Sequence, residues 1–197
     1  MNGIRSFIAI ELPEPVKDGL AKLEDILKNT VAFPAKWVAT NSIHLTLCFL
    51  GEIGPEQIEA VKSVMASTAS ETAPFELKLT SLGAFPNLER PQIIWAGVQG
   101  NLEALQRLHR ELEAGLQVMG YRPENRLFKP HLTLARIRDD AGTRARQEIG
   151  KVISSVSGLM HREFIVSEIN LMKSDLQRSG PVYTRLQVAK FQSKAKI

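Results

Sequence analysis

The tetrapeptide His44-Leu45-Thr46-Leu47 recurs unchanged as His131-Leu132-Thr133-Leu134, 131 − 44 = 87 residues further along the chain. A single His-x-Thr arises easily by chance. Two identical copies, both in strand-like surroundings, constrain the fold strongly. Successive side chains of a β-strand point to opposite faces. His44 and Thr46 therefore share one face, with Leu45, Leu47 and Phe49 on the other. His131 and Thr133 repeat this against Leu132 and Leu134. Each strand is expected to bury its leucines and to present an imidazole beside a hydroxyl. Two such strands facing each other would form a cleft holding two histidines and two threonines.

Those groups suit phosphodiester chemistry. Free imidazole has a pKa of about 6.5, so near neutrality one histidine can be neutral while another is charged. The neutral ring can take a proton from water or a hydroxyl, and the charged ring can give one to a leaving oxygen. The threonine hydroxyls can donate hydrogen bonds to non-bridging phosphate oxygens, where charge builds up. A strand histidine is more often structural than catalytic, but the duplicated context reverses that expectation for His44 and His131. Threonine is common in strands; its place two residues after each histidine favours phosphate contact for Thr46 and Thr133. Two imidazoles without a nearby cysteine or paired carboxylate make a poor zinc or manganese set. No metal and no cofactor are expected.

Paired His-x-Thr-x motifs resemble those of the two-histidine (2H) phosphoesterase superfamily. The likeness is greatest to bacterial RNA 2′,3′-cyclic phosphodiesterases, also called 2′-5′ RNA ligases. It extends through Phe7-Ile8-Ala9-Ile10-Glu11-Leu12-Pro13, His44 to Gly51, Gly83-Ala84-Phe85-Pro86, Trp95-Ala96-Gly97 and Pro130 to Arg136. The resemblance implies hydrolysis of an RNA or oligonucleotide 2′,3′-cyclic phosphate to a 2′-phosphate. His44 would be the proton donor, His131 the proton acceptor and Arg136 a ligand of the substrate phosphate. Strict alternation would instead put Arg136 opposite His131, unless a strand end or a bulge re-aims it. Run backwards, the same machinery would join RNA ends through a 2′-5′ link. Two rival readings are a non-catalytic RNA- or nucleotide-binding module, and a phosphodiesterase for 2′-5′ oligonucleotides or a small cyclic-phosphate metabolite.

A chain of 197 residues fits one two-lobed domain, 1–197. The single cysteine, Cys48, excludes an internal disulfide and a cysteine-based zinc cage. By pleat parity Cys48 joins the face of His44 and Thr46. No stretch approaches the ~20 apolar residues of a membrane span, and no secretory leader is recognisable. A monomer in the cytoplasm is expected. Net charge of +4 is compatible with an anionic partner such as RNA without being diagnostic.

The periodicity predicts a buried strand over Ser6 to Leu12 and a helix bearing Val16, Leu20, Leu23 and Leu27. A short extended piece at Lys36-Trp37-Val38 precedes the first motif strand, Ile43 to Leu50. Gly51 to Gly54 reads as a turn and Pro55 opens a second helix. Phe75 to Leu79 alternates as a strand, Gly83 to Pro91 reads as loop, and Ile93 to Val98 as strand. Asn101 is an N-cap for a helix with the stripe Leu105, Leu108, Leu112 and Leu116. The basic loop Arg122 to Pro130 leads into the second motif strand. Thr143 caps a fourth helix. Phe164 to Met172 and Val182 to Val188 read as two strands joined by a hairpin-like loop. Arg90 and Lys129 are candidates for RNA backbone contact, while His109 and His161 are expected on solvated surface. The recurring helix and strand order predicts an α+β fold of two similar lobes, each with a mostly antiparallel sheet backed by helices; the family resemblance implies that these are arranged as a bilobal pair with an active-site cleft between them.

Overall fold

The computed structural model describes residues 3–30, 34–122, 127–156, 162–177 and 180–192. Expectations that fall on Phe33, Arg126, His161, Ser179 and the tail 193–197 lie outside these. The elements run β1 (Ile4–Glu11), α1 (Glu14–Thr30), β2 (Ala35–Trp37), a 3-10 turn (Thr40–Ser42), β3 (His44–Ile53), α2 (Pro55–Ser70), β4 (Phe75–Phe85) and β5 (Ile93–Gly100). They continue with α3 (Leu102–Gln117), β6 (His131–Ile137), α4 (Thr143–Val156), β7 (Glu163–Val166), β8 (Glu168–Gln177) and β9 (Gly180–Lys190).

The strands form one curled antiparallel sheet in the order β7-β4-β5-β6-β3-β1-β8-β9, with β2 also on β6. It divides into two four-stranded halves, β7-β4-β5-β6 and β3-β1-β8-β9, which meet at β3 and β6. That joint is narrow: the paired residues are Leu45 and Leu132, the second residue of each motif. Beyond it, β2 continues the pairing along β6, with Lys36 opposite Arg136.

Among the described residues four amphipathic helices cover one face. α1 buries Val16, Leu20, Leu23 and Leu27, and α3 buries Leu105, Leu108, Leu112 and Leu116. The Asn101 carboxamide oxygen accepts from the Ala104 amide at 3.0 Å and starts α3 as its cap. These stripes pack on Leu45, Leu47, Leu132 and Leu134 in one continuous core. The opposite face carries a small separate cluster, Phe7, Ala9 and Met172, with Tyr183 packed on it.

Three expectations from periodicity need correction. β3 does not turn at Gly51 but runs on to Ile53, with Gly51 at φ 70 absorbing the irregularity. β4 runs past Leu79 to Phe85, with a register shift between Leu79 and Leu82. The segment Phe164 to Met172 is two strands on opposite halves of the sheet: β7 pairs with β4 and β8 with β1. The break is at Ser167, whose carbonyl accepts from the Phe191 amide at 2.8 Å.

Because Leu45 and Leu132 are fully buried where the halves join, truncating either to Ala should cost about 3 kcal/mol of stability. Urea denaturation should show this as a lowered midpoint with an unchanged slope.

Candidate active site

β3 and β6 cross antiparallel at Leu45 and Leu132. One residue to either side, that sense sets His44 across from Thr133 and Thr46 across from His131, at the ~5 Å separation of opposed strand residues. The leucines go to the helix-covered core. Both histidines and both threonines stay partly exposed on the other face. The structure thus brings His44, Thr46, His131 and Thr133 to one place, as the family resemblance implies.

Arg136 joins them through a β-bulge. Trp95 of β5 pairs with Thr133 and its neighbour Ile94 with Ala135, so β6 uses two residues where β5 uses one. Leu134 and Ala135 are both buried and the pleat parity flips, which turns Arg136 outward on the histidine face. β3 does the same at the equivalent place. Ala9 of β1 pairs with Thr46 and Ile8 with Cys48, so Leu47 and Cys48 both point into the core. Cys48 is therefore not on the cleft face, which corrects the parity expectation. Phe49 takes the outward position instead, at 54% exposed. It stands where Arg136 stands in the other half, since 136 − 49 = 87 repeats the motif offset.

The two imidazoles are oriented alike. His44 Nδ1 lies 2.8 Å from the Ser42 carbonyl, and His131 Nδ1 lies 2.7 Å from the Lys129 carbonyl. A carbonyl can only accept, so each Nδ1 carries the proton and donates it. Each Nε2 is then the nitrogen left for proton transfer. Their walls differ. Phe7 stacks on His44 at 4.7 Å and 25°, and Tyr183 meets the same ring edge-on at 5.1 Å and 89°. Phe85 meets His131 edge-on at 4.9 Å, with the Trp95 ring at 6.3 Å. Burial pushes His44 below the usual imidazole range, partly offset by the hydrogen bond to Ser42 and the charge of Glu11. Burial raises the Tyr183 phenol, and the charges of Arg136 and Arg5 oppose that rise. Arg136 therefore acts across the cleft on a side chain of β9.

Sequence reasoning missed Tyr183, Glu11 and Phe85, which reach the site from strands distant in the chain. Their signal was faint: aromatic or acidic residues in alternating strands. Phe7 and Trp95 are the packing behind the two histidines. Trp37 packs against the core with the Lys28 ammonium 4.9 Å from its ring centre. Lys129 is exposed and contributes its carbonyl to His131. Exposed Arg90 lies in a turn closed by Asn87, whose side-chain oxygen accepts from the Arg90 amide at 2.9 Å. His109 lies away from the cleft and is not the solvated residue expected. It stacks on Phe128 at 4.0 Å and sits 3.6 Å from Glu113. Among the described residues no group of three or more His, Cys, Asp and Glu side chains could hold a metal ion. Nor is any helix among them long and apolar enough to cross a membrane.

Fold and site define a two-histidine phosphoesterase architecture, and comparison with known proteins agrees. The family model for LigT-like phosphoesterases matches twice in succession, at residues 10–95 and 97–183, one match around each motif. The chain belongs to the LigT-like phosphoesterase family. It is 33% identical over 185 residues to the RNA 2′,3′-cyclic phosphodiesterase of Methanothermobacter thermautotrophicus, covering 94% of this chain and 97% of that one. It is 35% identical over 178 residues to the protein of that name from Aeropyrum pernix, covering 90% and 98%. The crystal structure of TT0787 from Thermus thermophilus superposes with a TM-score of 0.79 at 28% identity, covering 97% of this chain and all of that one. Escherichia coli LigT in its apo form gives a TM-score of 0.74 at 26% identity, covering 98% of this chain and 100% of LigT.

The buried Cys48 thiol is pushed up to about 12, chiefly by desolvation and then by the charge of Glu113. At pH 8 a thiol-disulfide reagent should leave the native protein untouched and label it stoichiometrically in urea. Rapid native labelling would contradict the bulge at Leu47.

Proposed function

We propose that this chain is an RNA 2′,3′-cyclic phosphodiesterase that opens the terminal cyclic phosphate of RNA or an oligonucleotide to a 2′-phosphate. The observation that carries the reading is the antiparallel crossing of the two motifs at Leu45 and Leu132. It leaves two Nε2 atoms and two hydroxyls around one small volume, a fit for a single phosphorus centre. The curated relatives bearing that activity in their names match over nearly the whole chain.

In this mechanism His131 Nε2 takes a proton from water while the water oxygen bonds to phosphorus. The P–O3′ bond breaks, and His44 Nε2 gives its proton to the departing 3′ oxygen. The product carries a 2′-phosphate and a 3′-hydroxyl, and the two histidines have exchanged protonation states. Thr46, Thr133 and Arg136 hold the non-bridging oxygens as charge gathers there. A lowered pKa at His44 fits the donor role, because a more acidic imidazolium parts with its proton more readily. The negative phosphate beside it helps to charge it before the step. With a 5′-hydroxyl in place of water, reversal would form a 2′-5′ linkage. The same reading has the chain acting as a monomer on RNA ends in the cytoplasm.

His44→Ala and His131→Ala should each lower kcat by roughly 10²- to 10⁴-fold on an oligonucleotide ending in a 2′,3′-cyclic phosphate. Circular dichroism should show both variants folded. Turnover of His44→Ala at the wild-type rate would sink the proposal. Wild-type turnover should also persist in excess EDTA and be bell-shaped in pH, and phosphorus NMR should identify the product as the 2′-phosphate. A 3′-phosphate product would reverse the proposed bond cleavage.

A further inference from the structure

Building on that reading, we infer that Glu11, held by Arg185, is the positioning residue that distinguishes His44 from His131 and keeps His44 in the proton-donating role. The cleft is otherwise close to two-fold symmetric. His44 and His131, Thr46 and Thr133, the carbonyls of Ser42 and Lys129, and the bulges at Leu47 and Leu134 all repeat at the motif offset. A symmetric pair of imidazoles would let either ring act as donor. One reaction direction needs a difference between them.

That difference lies on the strands flanking the motifs. Across from Thr46, Leu45 and His44, β1 places Ala9, Ile10 and Glu11. Across from Thr133, Leu132 and His131, β5 places Trp95, Ala96 and Gly97. Glu11 and Gly97 are equivalent positions: one histidine faces a carboxylate and the other faces bare backbone. Gly97 cannot easily take a side chain, because a Cβ there would come within 2.8 Å of Thr80 Oγ1 and 3.3 Å of the Ser81 carbonyl. The His131 half is closed to a carboxylate at the matching place.

Glu11 is also fixed rather than free. Arg185 of β9 donates to its Oε2 from Nε at 2.8 Å and from Nη2 at 2.5 Å. Two residues earlier on β9, Tyr183 presses edge-on against His44. One strand thus braces the carboxylate and caps the imidazole it acts on. Opposed residues of an antiparallel pair bring their Cβ atoms to about 5 Å, so the Glu11 charge acts at short range and favours the charged ring. Of the other ionisable groups, Tyr183 on β9 touches the His44 ring, Arg185 holds Glu11, Arg136 and Arg5 act on Tyr183, and His131 shares the cleft face. None of these supplies negative charge while Tyr183 stays protonated, and burial of His44 disfavours its charged form. The hydrogen bond to Ser42, matched at His131 by the bond to Lys129, and the Glu11 charge, which has no match there, are the counterweights.

The test compares wild type, Glu11→Gln and Glu11→Asp as full-length proteins on an oligonucleotide ending in a 2′,3′-cyclic phosphate. In Glu11→Gln the alkaline limb of the kcat profile, which reports the substrate complex, should move down by about half a pH unit, roughly a threefold loss on that side. The acidic limb should stay in place, and Glu11→Asp, which keeps the charge, should restore the alkaline limb. Without substrate, NMR of the imidazole resonances should show His44 losing its proton at lower pH in Glu11→Gln, with His131 unmoved. A shift of the acidic limb instead would put Glu11 beside the proton acceptor and overturn the inference. So would two unmoved limbs with an unmoved His44 titration in folded protein. The NMR arm is independent of turnover: an inactive wild type with the His44 shift would sink the functional reading alone, and an active enzyme without it would sink this inference alone.

Discussion

The candidate site hangs from one backbone contact, the antiparallel meeting of Leu45 and Leu132. Two four-stranded halves that were otherwise separate sheets share an edge there. The pair is fully buried, so the helix-covered core beneath it is continuous from one half to the other. Since strand side chains alternate, whatever flanks the two leucines must point the opposite way. The hydrophobic effect that sinks the leucines lifts the imidazoles and hydroxyls. One register does both jobs, and a slip by one residue would send every polar group into the core.

The same logic explains why the strands do not stay regular. A strictly alternating β6 would carry Arg136 to the core face, where an unpaired guanidinium is strongly destabilising. The bulge at Leu134 inserts one additional residue, buries Leu134 and Ala135 together, and returns the arginine to the cleft. The matching bulge in β3 buries Cys48 and sends Phe49 out. Repetition of the irregularity at the motif offset shows that it belongs to the duplicated unit and is not a local defect. The two outward residues then diverge: a cation on one half, an aromatic ring on the other.

This divides what could be read in the chain from what could not. The duplicated tetrapeptide made the site and its strands legible, and leucine periodicity at 3.6 residues made α1 and α3 legible. The bulges left no mark, because Leu-Cys and Leu-Ala carry no glycine or proline to announce an extra residue. The break at Ser167 was hidden for a similar reason. Phe164 to Met172 reads as continuous strand, and only a long-range hydrogen bond from Phe191 shows where the chain leaves one half for the other. Burial tells the two pieces apart: β7 alternates exposed and buried, whereas Ile169 to Met172 are buried throughout. That is a tertiary fact, set by Phe7 and Tyr183 closing over β8 on the cleft side. His109 was misjudged likewise, since its stacking partner Phe128 comes from a loop beyond its own helix.

A duplicated scaffold solves the geometry of a phosphate site but not its direction. The approximate two-fold axis passes between Leu45 and Leu132, beneath the place where the phosphorus would sit. Residues near that axis meet their own counterparts and cannot favour one side. Asymmetry has to enter from strands further out, where each half has a different neighbour. On one side β1 brings Phe7 and Glu11, and β9 lays Tyr183 and Arg185 over them. On the other, β5 brings Trp95 and a glycine, and β4 brings Phe85. The histidine stacked face-on and overlain is the more deeply desolvated of two rings that share one tautomer and one backbone geometry. In the proposed mechanism the motifs let two protons move about one phosphate, and their flanking strands decide which ring gives and which receives.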